Sequence, residues 1–157
     1  MKKLSTTVFI FLLIGSLSSA SAEVIELRYS TYLGTEFEEG DYGPAVAVDS
    51  IGAAYLTGST DSFFAFPTVN AYQSSGSGTH NPLIFVTKFS SSGSTLQYST
   101  YLRGSNYSAG LDLAVDSQGR AWVVGFTAAT DFPVKNAYQG ENAGGPDGFI
   151  TRFSPDL

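Results

Sequence analysis

The amino-acid sequence predicts an all-β fold made of two copies of one repeated unit, preceded by an export signal. Tyr29–Leu33 and Tyr98–Leu102 share the sequence Tyr-Ser-Thr-Tyr-Leu, and further shared words follow each copy in the same order. Helical periodicity is nearly absent after residue 22, because no window places apolar residues at i, i+3, i+4 and i+7 over three turns. Short segments rich in β-branched and aromatic residues alternate with turn residues instead, which favours strands.

The repeated words keep their order while the spacing between copies narrows. The offset is 69 residues at Tyr-Ser-Thr-Tyr-Leu, and 67, 66 and 64 at the three later words. Each loss falls in a segment that we predict to be a loop, so the strands keep their lengths while the connections vary. The later pairs are Ala47–Ser50 with Ala114–Ser117, Phe66–Gln73 with Phe132–Gln139, and Phe85–Ser90 with Phe149–Ser154.

Residues 1–22 have the pattern of a secretory signal. Lys2 and Lys3 form a positive start, Val8–Ile14 is an apolar run, and small residues lead to a cleavage site expected after Ala22. The apolar run is far shorter than the roughly 20 residues that a membrane-spanning helix needs. We therefore expect a secreted, cell-surface or periplasmic protein with no membrane span after the signal is removed.

Composition limits the partners of the exported chain. Of 8 Lys and Arg residues, two leave with the signal, so 6 remain against 14 Asp and Glu, a formal charge of −8. This charge disfavours nucleic acid and anionic membranes as partners through repulsion. The chain has no cysteine, so stability must come from a packed core, which 43% apolar and 14% aromatic residues can supply.

The predicted strands are short and separated by glycine-rich turns. Each unit contains a tight Asp-Ser-x-Gly turn, in which the Asp side chain can accept backbone N–H groups two residues on and glycine allows a positive φ. Ile25–Leu33 is predicted as an N-terminal strand, because it matches the fourth strand of the unit. The other strands are predicted at Ala45–Asp49, Ala53–Thr57, Leu83–Phe89, Leu96–Leu102, Leu113–Asp116, Ala121–Val124 and Gly148–Phe153.

Four short strands per unit with recurrent aromatics are typical of a β-propeller blade. We predict a signal peptide at 1–22, an N-terminal closing strand and first blade at 23–102, and a second blade without its own fourth strand at 103–157. Two four-stranded antiparallel blades form an incomplete ring, because known rings take about 4–8. Blades bury their faces against neighbours, so the expected partners are further copies of this chain or neighbouring blades of a longer protein.

The combination of words resembles the SBBP repeat, a bacterial extracellular β-propeller repeat. The resemblance covers essentially all of residues 29–157 and includes Gly-x-Thr at Gly58–Thr60 and Gly125–Thr127. It implies a secreted or surface-exposed propeller, often one part of a larger protein, without a generally assigned enzymatic activity.

Several residue types that could carry chemistry have a structural interpretation that we favour. Asp49 and Asp116 occupy equivalent turns, so a turn role is preferred over paired functional carboxylates. His80 lies in a Gly/Ser-rich loop without a nucleophile elbow, which favours a surface histidine over a catalytic triad. Trp122 lies on a predicted strand, and we predict that it packs in the core.

The tyrosines and the acidic loops leave two further alternatives open. The tyrosines of the repeated word could stack on sugars, but we favour packing in the core or between blades, since i and i+3 face opposite sides of a strand. Glu36–Asp41 and Glu141–Asp147 could hold Ca²⁺, but neither has the order of a dedicated loop, which favours solvated loops. These tyrosines are Tyr29, Tyr32, Tyr98 and Tyr101.

The sequence therefore predicts a secreted, non-catalytic repeat protein that serves as a structural or interaction module for a glycan or a protein. It assigns no catalytic residue, no metal site and no cofactor, and it leaves the binding residues open. One alternative is a hydrolase or lyase in which loop carboxylates act as general acid and base. Another is a fragment of a longer surface propeller without independent function.

Overall fold

The structure is a computed structural model that describes residues 25–35, 44–62, 65–76 and 82–155. Within these ranges seven strands form two antiparallel sheets and no residue is helical, which confirms the all-β class. In the same ranges no apolar helix of membrane-spanning length is found. The signal predicted at 1–22 lies outside the described residues.

Each sheet is a simple meander, in which neighbouring strands are also neighbours in sequence. The first sheet contains β1 (Ala45–Val48), β2 (Ala54–Thr60), β3 (Leu83–Phe89) and β4 (Leu96–Leu102). The second sheet contains β5 (Ser108–Val115), β6 (Ala121–Thr127) and β7 (Asp147–Arg152).

All seven strands overlap predicted strands, and three are longer than predicted. Strand β2 continues to Thr60, β5 begins at Ser108, and β6 continues to Thr127. The early part of β5 was missed because its register shifts between Gly110 and Asp112. Such a bulge interrupts the period-two pattern from which a strand is predicted.

The Asp-Ser-x-Gly turns join the first two strands of each sheet as predicted. Asp49 Oδ1 accepts the N–H groups of Ile51 at 3.1 Å and Ala53 at 2.9 Å. Gly52 has a φ of 86°, which favours glycine because a Cβ is strained there. Asp116 accepts the matching pair of N–H groups in the second sheet.

The main core lies where the second sheet packs on the first. Strand β5 contacts β1, β2 and β3. Strand pairing places Tyr55, Val86 and Tyr98 on the contacted face of the first sheet, and Leu113 and Val123 lie opposite them. All five side chains are buried. Burying a large apolar side chain contributes about 1.5–3 kcal/mol, so this contact holds the two sheets together.

The other face of the first sheet is covered in part by the loop that joins β2 to β3. Phe66 of this loop packs with Phe85 and Tyr101 in a second buried cluster. The loop also pairs with the outer edge of β4, where Val69 and Ser99 exchange backbone hydrogen bonds. The outer edge of the first sheet is therefore occupied by its own chain.

The predicted strand at Ile25–Leu33 is wrong, because residues 25–35 belong to no strand in the structure. The Tyr29 ring lies against the α-carbon of Gly93 in the β3–β4 turn, and Leu33 packs on the Phe66 cluster. A strand requires an edge with which to pair, and the β2–β3 loop already occupies the edge of β4. The segment thus lies beside the first sheet without joining it.

Candidate functional site

A tyrosine on β2 is the centre of the contact between the sheets. The Tyr55 hydroxyl lies 3.1 Å from both Asp49 Oδ2 and the carbonyl oxygen of Gly119 in the second sheet. The Tyr98 ring meets it edge-on at 6.3 Å, and Lys88 Nζ lies 5.0 Å from its ring centre. The Tyr55 hydroxyl thus connects the Asp49 turn of the first sheet to the Asp116–Gly119 turn of the second.

The same constellation recurs on the second sheet without a covering sheet. Trp122 stands at the position equivalent to Tyr55, and its Nε1 donates to Asp116 Oδ2 at 3.0 Å. The guanidinium of Arg152, equivalent to Lys88, lies 5.4 Å from the Trp122 ring centre. Trp122 is only partly buried, so the prediction that it packs in the core is wrong. The reason is that a side chain on this face needs a third sheet to cover it.

We call the uncovered surface formed by Trp122, Val124, Ile150 and Arg152 the open face. Val124 is 38% exposed and Ile150 is 68% exposed. Their equivalents in the first sheet, Thr57 and Val86, are fully buried against the second sheet. Equivalent positions therefore differ in burial because only one of the two sheets has a neighbour on this side.

A second uncovered surface lies at the other end of the pair of sheets. We call the surface formed by the side chains of Val46 and Val48 on β1 the leading face. These side chains are 66% and 60% exposed, whereas Leu113, equivalent to Val46, is 7% exposed where it packs on the first sheet. The leading face thus exposes aliphatic residues at the positions where the second sheet uses aliphatic residues, Leu113 and Val115, to pack on the first.

The turn carboxylates are held ionised by the hydrogen bonds that shape the turns. Burial raises the pKa of Asp49, but the N–H groups of Ala53 and Ile51 and the Tyr55 hydroxyl outweigh it and hold that pKa below its ordinary value. Burial also raises the pKa of Asp116, yet donors from Trp122 and Arg120 lower it overall. A carboxylate with a lowered pKa is a poor proton donor near neutral pH. Both residues thus have the structural turn role that the sequence favours.

Two acidic residues of the described loops, Asp131 and Asp147, likewise bind backbone groups. Asp131 accepts the N–H of Ser105 at 2.7 Å, and this hydrogen bond lowers the pKa of Asp131. Asp147 accepts the N–H of Ala143 at 2.6 Å within the loop predicted as an alternative Ca²⁺ site. Among the described residues no three His, Cys, Asp or Glu side chains stand together as a metal site would require. The second acidic stretch, at 36–41, and His80 lie outside the described residues.

The four tyrosines of the repeated word divide into two buried and two exposed residues. Tyr98 packs between the sheets and Tyr101 on the opposite face, which confirms the packing predicted for that pair. Tyr29 and Tyr32 are 40% and 102% exposed, so the same prediction is wrong for them. They are exposed because their segment does not join a sheet.

The N-terminal segment forms one side of a shallow cavity of about 490 Å³. Residues 31–35 face the β3–β4 turn across it, and no charged side chain lines it. The polar side-chain groups of the cavity are hydroxyls alone, whereas the open face also presents a guanidinium and an indole ring. The open face is therefore the stronger candidate for a functional site.

The open face has the chemistry of a recognition surface. Tryptophan and arginine are enriched among residues that dominate binding energy, and here they stack on one another beside two exposed aliphatic side chains. Sequence reasoning missed Val124, Ile150 and Arg152, although one signal was available. These positions match Thr57, Val86 and Lys88, which are buried in the first unit, so the repeat itself marks them as positions of a face that packs.

Comparisons with known proteins give no functional assignment. No protein-family model matches this chain. No curated protein is similar enough to count as a match.

Proposed function

We propose that this chain is a secreted, non-catalytic β-propeller repeat protein that serves as a structural or interaction module. In this proposal the two sheets are successive blades, as the resemblance to SBBP repeats implies. The supporting observation is the way they stack. The second sheet packs on the first through Leu113, and the equivalent residue of the first sheet, Val46, is exposed.

Head-to-tail stacking of this kind leaves two different surfaces available at the ends. The open face presents an aromatic ring, a guanidinium and aliphatic side chains, and it is suited to a protein surface or a sugar ring. Asp49, Asp116, Asp131 and Asp147 bind backbone groups of turns and loops, which leaves these four carboxylates poorly placed for catalysis. These features favour binding over turnover.

The catalytic alternative is tested on the secreted chain directly. A panel of glycan and ester substrates is incubated with the purified protein, and we expect no turnover above the rate without protein. Turnover abolished by a single carboxylate-to-amide change, at Asp131 or Glu141 for example, would overturn the proposal. A double variant of Asp49 and Asp116 is unsuitable here because both carboxylates shape the turns.

Binding is tested on an array of glycans with the open face intact and altered. Trp122→Ala and Arg152→Glu are compared with Tyr138→Ala, which removes an exposed aromatic ring in the β6–β7 loop that is not part of the open face. We expect any glycan signal to fall at least about tenfold in the two open-face variants, as for hot-spot residues. A signal lost equally in the Tyr138 variant would place binding elsewhere.

Export is tested by joining residues 1–30 to a reporter enzyme that is active only outside the cytoplasm. We expect an active reporter whose N-terminus, read by mass spectrometry, begins at Glu23. Lys2 and Lys3 replaced by Glu serve as the matched control, because the positive start is part of the signal. An inactive reporter with an intact N-terminus would contradict secretion.

A further inference from the structure

The second sheet has an unpaired outer edge where the first sheet has a fourth strand. Strand β7 pairs with β6 on one side, and no described residue pairs with its other side. Phe153, which follows β7, donates its N–H to the carbonyl oxygen of Ala121 in β6. Because backbone groups alternate in direction along a strand, those of Gly148, Ile150 and Arg152 point away from β6.

The first sheet shows what fills such an edge. Residues Tyr98–Leu102 of β4 lie along β3, with Lys88 opposite Tyr98, Val86 opposite Thr100, and Ile84 opposite Leu102. In the repeat, β3 and β7 are equivalent strands with an offset of 64 residues. Among the described residues, no segment that reads Tyr-Ser-Thr-Tyr-Leu lies along the outer edge of β7.

An identical segment is present in the chain and lies outside both sheets. Tyr29–Leu33 has the same five residues as Tyr98–Leu102 and belongs to no strand. Around it, Ile25 is 101% exposed, Leu27 80% and Tyr32 102%. An apolar segment with the sequence of an outer strand and no sheet partner is a candidate for addition to a free edge.

The side chains around β7 already form the site that this segment would fill. In the first sheet Phe66 and Phe85 stack at 4.8 Å, and Tyr101 completes the cluster 5.9 Å from Phe66. In the second sheet the equivalent Phe132 and Phe149 lie 4.7 Å apart. Tyr32, in the segment Tyr29–Leu33 that belongs to no strand, is at the position equivalent to Tyr101.

A hydroxyl pair specifies the register of the missing strand. Thr87 Oγ1 and Ser99 Oγ lie 2.8 Å apart in the buried contact between β3 and β4. Thr151 is the equivalent of Thr87, and Ser30 is the equivalent of Ser99. A slip of one residue would turn every side chain to the other face, so this pair and the aromatic cluster select a single register.

The connection after the strand also favours a second copy as its source. In the first sheet β4 leads through residues 103–107 to β5, which packs on the adjacent face. In the sequence β1 follows Leu33 as β5 follows Leu102, and its Val46 and Val48 are equivalent to Leu113 and Val115. A donated strand would thus bring the leading face of its own chain to the open face of the acceptor.

We propose that β7 of one copy takes Tyr29–Leu33 of a second copy as its fourth strand. Tyr29 lies opposite Arg152, Thr31 opposite Ile150, and Leu33 opposite Gly148. This inference rests on the proposed function, because it treats the two sheets as successive blades. Each copy donates one strand and accepts one, so the contact is heterologous and builds either a closed ring or an open filament.

The first experiment measures the mass of the secreted chain by light scattering after size exclusion. We expect a mass that corresponds to two or more chains. Thr31→Pro removes an N–H that the register directs at β7, and it should reduce the mass to that of one chain. Thr31→Val keeps the N–H and is the matched control that should still assemble. Folding is not at risk, because Thr31 lies in no strand of either sheet.

The second experiment fixes the register with cysteines, since the natural chain has none. Ser30→Cys and Thr151→Cys single variants are mixed, oxidised and separated without reductant. We expect covalent dimers between the two variants, because cross-strand partners on one face bring their Cβ atoms within about 4.5–5.5 Å. Thr31→Cys mixed with Thr151→Cys is the control. It should give few covalent dimers, since in the proposed register the side chains of residues 31 and 151 lie on opposite faces of the sheet.

The outcomes separate the inference from the function on which it rests. A monomer in the wild-type chain, or equal masses for Thr31→Pro and Thr31→Val, overturns strand donation and leaves binding by the open face intact. An intramolecular disulfide in a Ser30→Cys/Thr151→Cys double variant that stays monomeric would show that the chain fills its own edge. Substrate turnover would contradict the proposed function whatever the mass.

Discussion

The two sheets share a sequence pattern but differ in how completely they are covered. In the first sheet β2 and β3 are buried along almost their whole lengths, whereas β7 alternates between half-buried and exposed residues. The difference does not come from residue type, since Val86 is fully buried and the larger, more apolar Ile150 at the equivalent position is exposed. Burial in this molecule is therefore decided by neighbouring elements. In the part of the chain that the structure describes, the second sheet has neither a sheet on its open face nor a strand beside β7.

Equivalent aromatic residues should therefore have unequal effects on stability. Tyr55→Ala removes a fully buried ring and its hydrogen bonds between the sheets, and we expect a loss of about 3–5 kcal/mol in the free energy of unfolding. Trp122→Ala should cost only about 1–2 kcal/mol, because less of its area leaves water on folding. Urea unfolding of both variants, on the Thr31→Pro background, measures the difference. Equal losses would mean that the open face is covered in solution.

Two equivalent glycines sharpen the comparison at a smaller scale. A Cβ at Gly125 would meet the carbonyl oxygen of Ala109, which is backbone and cannot move aside. A Cβ at Gly58 would meet the Phe85 ring at 3.0 Å, and a ring can shift. We expect Gly125→Ala to cost about 1–3 kcal/mol and Gly58→Ala distinctly less. Thermal unfolding of the two variants tests the order, and the reverse order would contradict this account of the packing.

The turn carboxylates predict how stability depends on acid. Their pKa values are lowered in the folded protein, so their contribution is complete above the unfolded value of about 3.9 and is lost as the pH falls through the folded values. Asp116 pairs with the partly exposed Arg120 at 2.6 Å, whereas Asp49 binds Tyr55 beneath the second sheet. Added salt should therefore weaken the contribution of Asp116 more. Unfolding curves of Asp116→Asn and Asp49→Asn at pH 3 and 6, with and without salt, measure both effects.

The smallest effect concerns a hydroxyl that is buried in the contact between the sheets. Tyr98 Oη has no hydrogen-bond partner among the described residues, and burial raises the pKa of Tyr98. Tyr98→Phe should therefore leave stability unchanged or raise it by up to about 1 kcal/mol, because no bond is lost and a buried polar group is removed. A loss of more than 1 kcal/mol in urea unfolding would reveal a partner for this hydroxyl.

The fold class and strand positions could be predicted from sequence because they depend on local pattern. The Asp49 and Asp116 turns were predicted correctly for the same reason, since an Asp side chain and a glycine three residues on are enough to define them. The bulge that extends β5 past Gly110 was missed because it breaks the alternation. Local signals thus account for most of the secondary structure.

The candidate site could not be predicted in the same way, because it depends on what is absent beside it. A tryptophan on a strand rich in β-branched residues is typical of a core residue, but no sheet among the described residues covers Trp122, which is therefore partly exposed. The prediction for Tyr29–Leu33 failed for a related reason. Its sequence is suited to an outer strand, but within one chain it pairs neither with β4, whose edge is occupied by Val69, nor with β7, whose outer edge pairs with no described residue.

The meander order of the strands has a consequence for the rate of folding. Every hydrogen-bonded strand pair joins elements adjacent in the sequence, from β1 with β2 to β6 with β7. Closing such pairs costs less chain entropy than pairing distant strands, so each sheet can nucleate by itself. The first sheet is complete in the sequence at Leu102, before the second begins at Ser108. During synthesis it can form first and then serve as the template on which the later strands condense.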